Sequence, residues 1–111
     1  MKISKHDNFV VLEDDRNDVE DFASFLEYIV PKKNEGNNVV VDLLKYESLS
    51  MDQLLLFLKA SNEHRSSNQS FVIINNAISP DELPEELSVV PTLQEAEDLI
   101  EMENIERELG F

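Results

Sequence analysis

The stretch from Val39 to Leu58, VVVDLLKYESLSMDQLLLFL, constrains the fold more than any other part of the chain. An apolar run ends in an aspartate, a short polar loop follows, and an apolar helix opens. Val39, Val40 and Val41 form a continuous β-branched run, which suits a strand covered on both faces and hence a central place in a helix-flanked sheet. Asp42 marks the carboxyl edge of that strand. Beyond the loop Leu43 to Leu49, Ser50 is followed three residues later by Gln53, the spacing of a capping box. A helix is therefore predicted from near Met51, with Met51, Leu54, Leu55 and Leu58 as its apolar side and Lys59, Asn62 and Glu63 extending its polar side.

The flanking sequence supplies further strands and helices. Met1 to Lys5 reads as a short strand anchored by Ile3, and a turn at His6, Asp7 and Asn8 leads to a stronger strand, Phe9 to Leu12, completing an N-terminal hairpin. Val19, Phe22, Phe25, Leu26 and Ile29 recur as a buried helical stripe that ends near Pro31, with Asn17 and Glu20 as capping candidates. Phe71 to Ile74 is a compact apolar strand ending in Asn75 and Asn76. Ser79, Pro80, Asp81 and Glu82 start a helix kept short by Pro84. Leu87 to Val90 is a terminal strand, and Thr92 with Glu95 caps a last helix that buries Leu93, Ala96 and Leu99 or Ile100, with Ile105 and Leu109 as further candidates. Strands separated by helices imply right-handed crossovers. The expectation is a single α/β domain over residues 1–111, with a mixed, mostly parallel sheet, an N-terminal hairpin and flanking helices.

Composition narrows the function. The formal charge is −15, and residues 81 to 111 hold 11 acidic side chains against Arg107 alone. Such a field repels nucleic acid and anionic lipid, and no basic patch in the sequence offsets it. There is no cysteine, which excludes disulfide and thiol chemistry. The N-terminus has no apolar core before a cleavage site, and no apolar run reaches membrane-spanning length. A cytoplasmic location is the expectation.

Few residues suggest chemistry. His6 and His64 belong to no HExxH pattern and lie near no glycine-framed serine. Glu63 and His64 read as surface residues near a helix end. Gly36 and Gly110 are the only glycines, so no phosphate-cradling loop is present. Asp14, Asp15 and Asp18 lack the calcium-loop spacing and its glycine, and read as solvated acidity. Asp42 either caps the adjoining loop or, with Asn75 and Asn76, edges a small-ligand pocket beyond the strand ends. No nucleophile, base or acid pair accompanies it. Neither catalysis, a cofactor nor a metal is expected.

The order of elements, together with VVVDLLKYESLSMDQLLLFLKASNEHRSSNQSFVIIN and the later VVPTLQEAEDLI, resembles the STAS domain family, whose simplest members are bacterial anti-sigma factor antagonists. The resemblance covers nearly all of the chain. It implies a non-enzymatic regulatory protein that binds an anti-sigma-type kinase through the loop before the second helix, here Glu47, Ser48, Ser50, Asp52 and Gln53. That family's loop reads aspartate, serine, serine or threonine, then glycine, and a partner kinase phosphorylates the hydroxyl beside the glycine. Those places fall on Ser50, Met51, Asp52 and Gln53. Asp52 thus occupies the phosphorylated place and the glycine is missing, so the resemblance implies a lost switch and constitutive binding.

Asp52 is also readable as an ordinary first-turn acid, and Ser50 as a simple N-cap. A second expectation is an acidic accessory subunit that docks a basic partner, such as a nucleic-acid enzyme, through Glu101, Glu103 and Glu106. Leu109 and Phe111 would anchor that contact or complete the core. Self-association through a free sheet edge is open on this reading.

Overall fold

The computed structural model describes residues 1–110, so Phe111 lies outside the described residues. Five strands form one sheet in sequence order: β1 (Lys2–Lys5), β2 (Val10–Glu13), β3 (Val39–Asp42), β4 (Phe71–Ile74) and β5 (Ser88–Val90). The β1–β2 pair is antiparallel and the other pairs are parallel. The predicted α/β fold with an N-terminal hairpin is therefore present.

Strand alternation divides the apolar residues between two layers. Val10, Leu12, Val39, Val41, Phe71 and Ile73 face a layer made by α1 (Val19–Lys33), α2 (Met51–Leu55) and α3 (Leu58–Ser66). Phe9, Val11, Val40, Val72 and Ile74 face α4 (Leu93–Glu108), which contributes Ala96 and Ile100. Val39, Val40 and Val41 are fully buried, as a central parallel strand requires.

Several local readings are corrected. The helix expected from Met51 breaks into two because Leu54 to Leu58 are five consecutive apolar residues that cannot share one helical face. Leu56 and Phe57 donate to Gln53 and Leu54, a tighter three-residue turn that brings Leu54 and Phe57 together into the core. Leu55 and Leu56 are left exposed.

Helix α1 continues past Pro31 to Lys33, since a proline in the last turn costs little more than one solvent-facing bond. Its cap is Asp18, whose carboxylate accepts from Asp21 N at 3.0 Å. Asn17, the expected cap, instead takes a left-handed φ of 59° that turns the chain into the helix. Ser79 makes no side-chain cap, and Pro80–Glu82 form a single 3-10 turn.

Burial also differs from the expected stripes. Ile3 and Phe25 are exposed because β1 is an edge strand that leaves the outer side of α1 uncovered. Leu93, Ile105 and Leu109 are exposed because α4 meets the sheet only through its inner side.

Candidate partner-binding site at the carboxyl edge of the sheet

Parallel strands end at one edge, and β2, β3 and β4 deliver Asp14, Asp42 and Asn75 to that edge in turn. Asp42 Oδ1 accepts from Leu44 N at 3.0 Å, so this carboxylate caps the start of the loop. Asn75 is the loop's main brace. Its Nδ2 donates to the carbonyls of Leu43 at 2.9 Å and Tyr46 at 3.1 Å, and its Oδ1 accepts from Ala77 N at 2.8 Å. The expected ligand pocket at Asp42, Asn75 and Asn76 therefore has two of its three side chains engaged in holding backbone.

Asp14 corrects the reading of solvated acidity, since it is 6 % exposed. Its carboxylate accepts from Arg16 N at 3.0 Å, from Asp18 N at 3.1 Å and from the Tyr46 hydroxyl, while Lys45 Nζ donates to its carbonyl. Burial alone would raise the Asp14 carboxyl, but the hydrogen bonds from Tyr46, Arg16 and Asp18 and the nearby Lys45 charge outweigh it and hold it below the usual carboxylate range. Burial, followed by the bond to Asp14 and its charge, pushes the Tyr46 hydroxyl well up, so it remains a donor. Asp14 and Asn75 thus clamp the loop from its two neighbouring strands. Among the described residues no cluster of three acidic, histidine or cysteine side chains has a metal-binding arrangement.

The loop then presents its sequence-predicted residues outward. Glu47, Ser48, Ser50 and Asp52 are exposed and Gln53 is half-buried, whereas Leu49 is buried as the anchor. Ser50 and Gln53 make the predicted capping box, with Ser50 Oγ accepting from Gln53 N at 3.2 Å and Gln53 Oε1 accepting from Ser50 N at 3.0 Å. Gln53 Nε2 also reaches Glu20 on α1 at 3.5 Å. Leu44, Leu55 and Leu56 add apolar surface between 37 % and 40 % exposed, which the sequence reading missed. For Leu55 and Leu56 the signal was the apolar run Leu54 to Leu58, too long for one buried face.

The acidic-helix candidates divide. Glu101 and Glu106 are exposed, but Glu103 binds Arg65 at 3.3 Å and accepts from the Ser70 hydroxyl. Arg65 continues inward to the Phe71 carbonyl at 3.1 Å and to Ser88 Oγ at 2.6 Å. Arg107 donates to Asn38, Ser70 and Asn104. Glu103 therefore fastens α4 to the amino ends of the strands and is not free to dock a partner.

His64 is also corrected from surface to interior. It is 4 % exposed, its ring meets Phe71 edge-on, and its Nε2 lies 2.6 Å from the Asn37 carbonyl. Burial, joined by the adjacent Arg65 charge, lowers its pKa against the opposing effect of the Asn37 bond. The neutral ring with a proton on Nε2 fits that contact.

Among the described residues no helix is long and apolar enough to cross a membrane. No family model and no curated protein matches the chain. A solved structure titled "NMR Structure of the protein TM1081" is similar in fold, with a TM-score of 0.65 and 18 % sequence identity over 89 % of this chain and 86 % of that one. At that identity the likeness shows a shared α/β architecture and nothing about activity.

Proposed function

We propose that the chain is a non-enzymatic protein-interaction module, resembling an anti-sigma factor antagonist, whose contact surface is the loop before α2 together with the start of that helix, without a serine phosphorylation switch. The observation that carries this reading is the contrast within the loop. Its backbone is pinned by Asn75, Asp42 and the Asp14–Tyr46 bond, while Leu44, Glu47 and Ser48 of the loop, Asp52 and Leu55 of α2 and Leu56 just after it face solvent. A pre-ordered surface of apolar side chains among polar ones lowers the entropic cost of binding. Asp52 places a fixed charge where the resembled family carries a phosphoryl group. Ser50 already spends its hydroxyl on the α2 cap.

The test is tagged purification from native cells of wild type and of Leu55→Asp/Leu56→Asp, with phosphopeptide mapping of the wild type. Recovery of an anti-sigma-type kinase with wild type alone is expected, with Ser48 and Ser50 unmodified. Stoichiometric phosphate on Ser50 would defeat the lost-switch reading, and equal recovery by both proteins would defeat the surface.

A second reading, an acidic subunit docking a basic partner through α4, draws support from the exposure of Glu101 and Glu106. Gln at both positions should then release the partner, and rising salt should weaken the wild-type complex.

A further inference from the structure

Helix α4 has apolar residues on two opposite sides. Helical periodicity puts Ala96, Ile100, Glu103 and Arg107 together on the side that meets the sheet, and Met102, Ile105 and Leu109 together on the far side. These three are 57 %, 55 % and 64 % exposed. A helix covered on one face ordinarily turns charge to solvent on the other, so a second apolar stripe marks a contact surface. Glu101 and Glu108 flank this stripe on one side and Glu106 on the other, while Arg107 turns inward to Asn38 and Ser70.

The complementary feature lies across the molecule. Between the edge strand β1 and α1 runs a groove of about 500 Å³ floored by Ile3, Val10, Phe25 and Ile29 and rimmed by Lys5 and Lys33. No carboxylate lines it, although the chain has 24 acidic residues and only nine basic ones. Ile3 and Phe25 are 49 % and 41 % exposed there.

We propose that the outer stripe of α4 on one copy of this chain docks into the β1/α1 groove of a second copy. The signs of charge select this pairing from the three that two copies offer. Stripe against stripe sets glutamates against glutamates, and groove against groove sets lysines against lysines. Stripe in groove alone joins apolar surface to apolar surface with opposite charges at the rim, in the manner of an amphipathic helix laid into a groove. The contact is head-to-tail and leaves one stripe and one groove free, so it propagates into a ring or a filament. It uses neither the loop before α2 nor any partner of that loop.

Sedimentation velocity over a concentration series at physiological ionic strength tests it, on wild type, on Met102→Asp/Ile105→Asp, on Lys5→Glu/Lys33→Glu and on an equal mixture of the two variants. All four side chains are exposed, and circular dichroism checks the fold, with Met102→Ser/Ile105→Ser as a milder pair. Wild type should grow beyond a dimer, each variant alone should stay at 12.8 kDa, and the mixture should form a species of twice that mass and no larger. The mixture is decisive, because one variant keeps its groove and the other its stripe. Wild type remaining at 12.8 kDa throughout, variants that associate like wild type, or a mixture that stays monomeric while wild type associates would each overturn the proposal.

Discussion

His64 connects the interior to pH. The fold keeps the imidazole neutral by burial, whereas the unfolded chain takes up a proton near the ordinary value of 6.5. Below that pH the unfolded state binds more protons than the folded one, so stability falls as pH falls, until the folded ring also protonates. Asp14 acts in a lower window: its depressed carboxyl contributes stability above the ordinary 3.8, and that contribution is lost as pH falls further. Urea unfolding at a series of pH values should show a first decline beginning near 6.5, and His64→Gln should lessen that first step while leaving the acid one. An unchanged first step in His64→Gln would assign it to another group. Asn75 makes a separate demand at the same scale. Asn75→Ala leaves the Leu43 carbonyl without its side-chain donor in a buried setting and frees Tyr46 O, a loss of about 1–3 kcal/mol. The measurement is the urea midpoint, with faster amide exchange across residues 43–50 as the local signature.

At the scale of elements, β3 and β4 were legible because Val39 to Val41 and Phe71 to Ile74 are short apolar runs with no helical alternative, and the caps at Ser50 and Thr92 are written within three residues. What the sequence did not disclose is carried by partners far apart in the chain. Asp14 meets Tyr46 across 32 residues, His64 meets Asn37 across 27, and Arg65 meets Glu103 across 38. No local spacing announces such pairs, so a buried aspartate and a buried histidine looked like surface. In the candidate loop, the exposed positions of Glu47 to Asp52 were readable from polarity, but Leu55 was assigned to the buried side by helical period, and the tighter turn at Phe57 leaves it exposed beside Leu56. The same distinction separates the glutamates of α4. Glu103→Gln removes the charge that Arg65 and Ser70 share, at a cost of about 1–3 kcal/mol for partly buried charge-assisted bonds. Glu101→Gln and Glu106→Gln should each fall within about 0.5 kcal/mol of wild type, as exposed substitutions do. Thermal denaturation of the three variants checks the ordering, and equal losses would remove Glu103 from its fastening role.

For the whole molecule the governing quantity is charge packed into a small volume. A net charge of −15 is carried on a molecule 38 × 32 × 22 Å in extent, comparable with the roughly 30 Å screening length of 0.01 M salt. The charges therefore repel one another across the entire fold at low ionic strength, and this self-repulsion destabilises the compact state more than the expanded one. Attraction offers little to set against it: Arg65–Glu103 and the Met1 ammonium with Asp15 are the two ion pairs among the described residues, and the second of these is open to solvent and screened by it. Repulsion should win, so the Tm of the dilute protein should rise as sodium chloride goes from about 0.01 M to about 0.15 M, where the screening length falls from roughly 30 Å to 8 Å. The source of the slope is then separable. Gln at Glu101, Glu106 and Glu108 takes the charge from −15 to −12 and, at Glu106 and Glu108, removes anions from the last turn of α4, where the helix dipole disfavours them. That variant should be more stable than wild type at low salt, and its Tm should climb less steeply as salt is added. A wild-type Tm that falls with salt would mean that the Arg65 and Asp15 pairs outweigh the field of the remaining acids, and the acidic helix would then be stabilising the fold and not straining it.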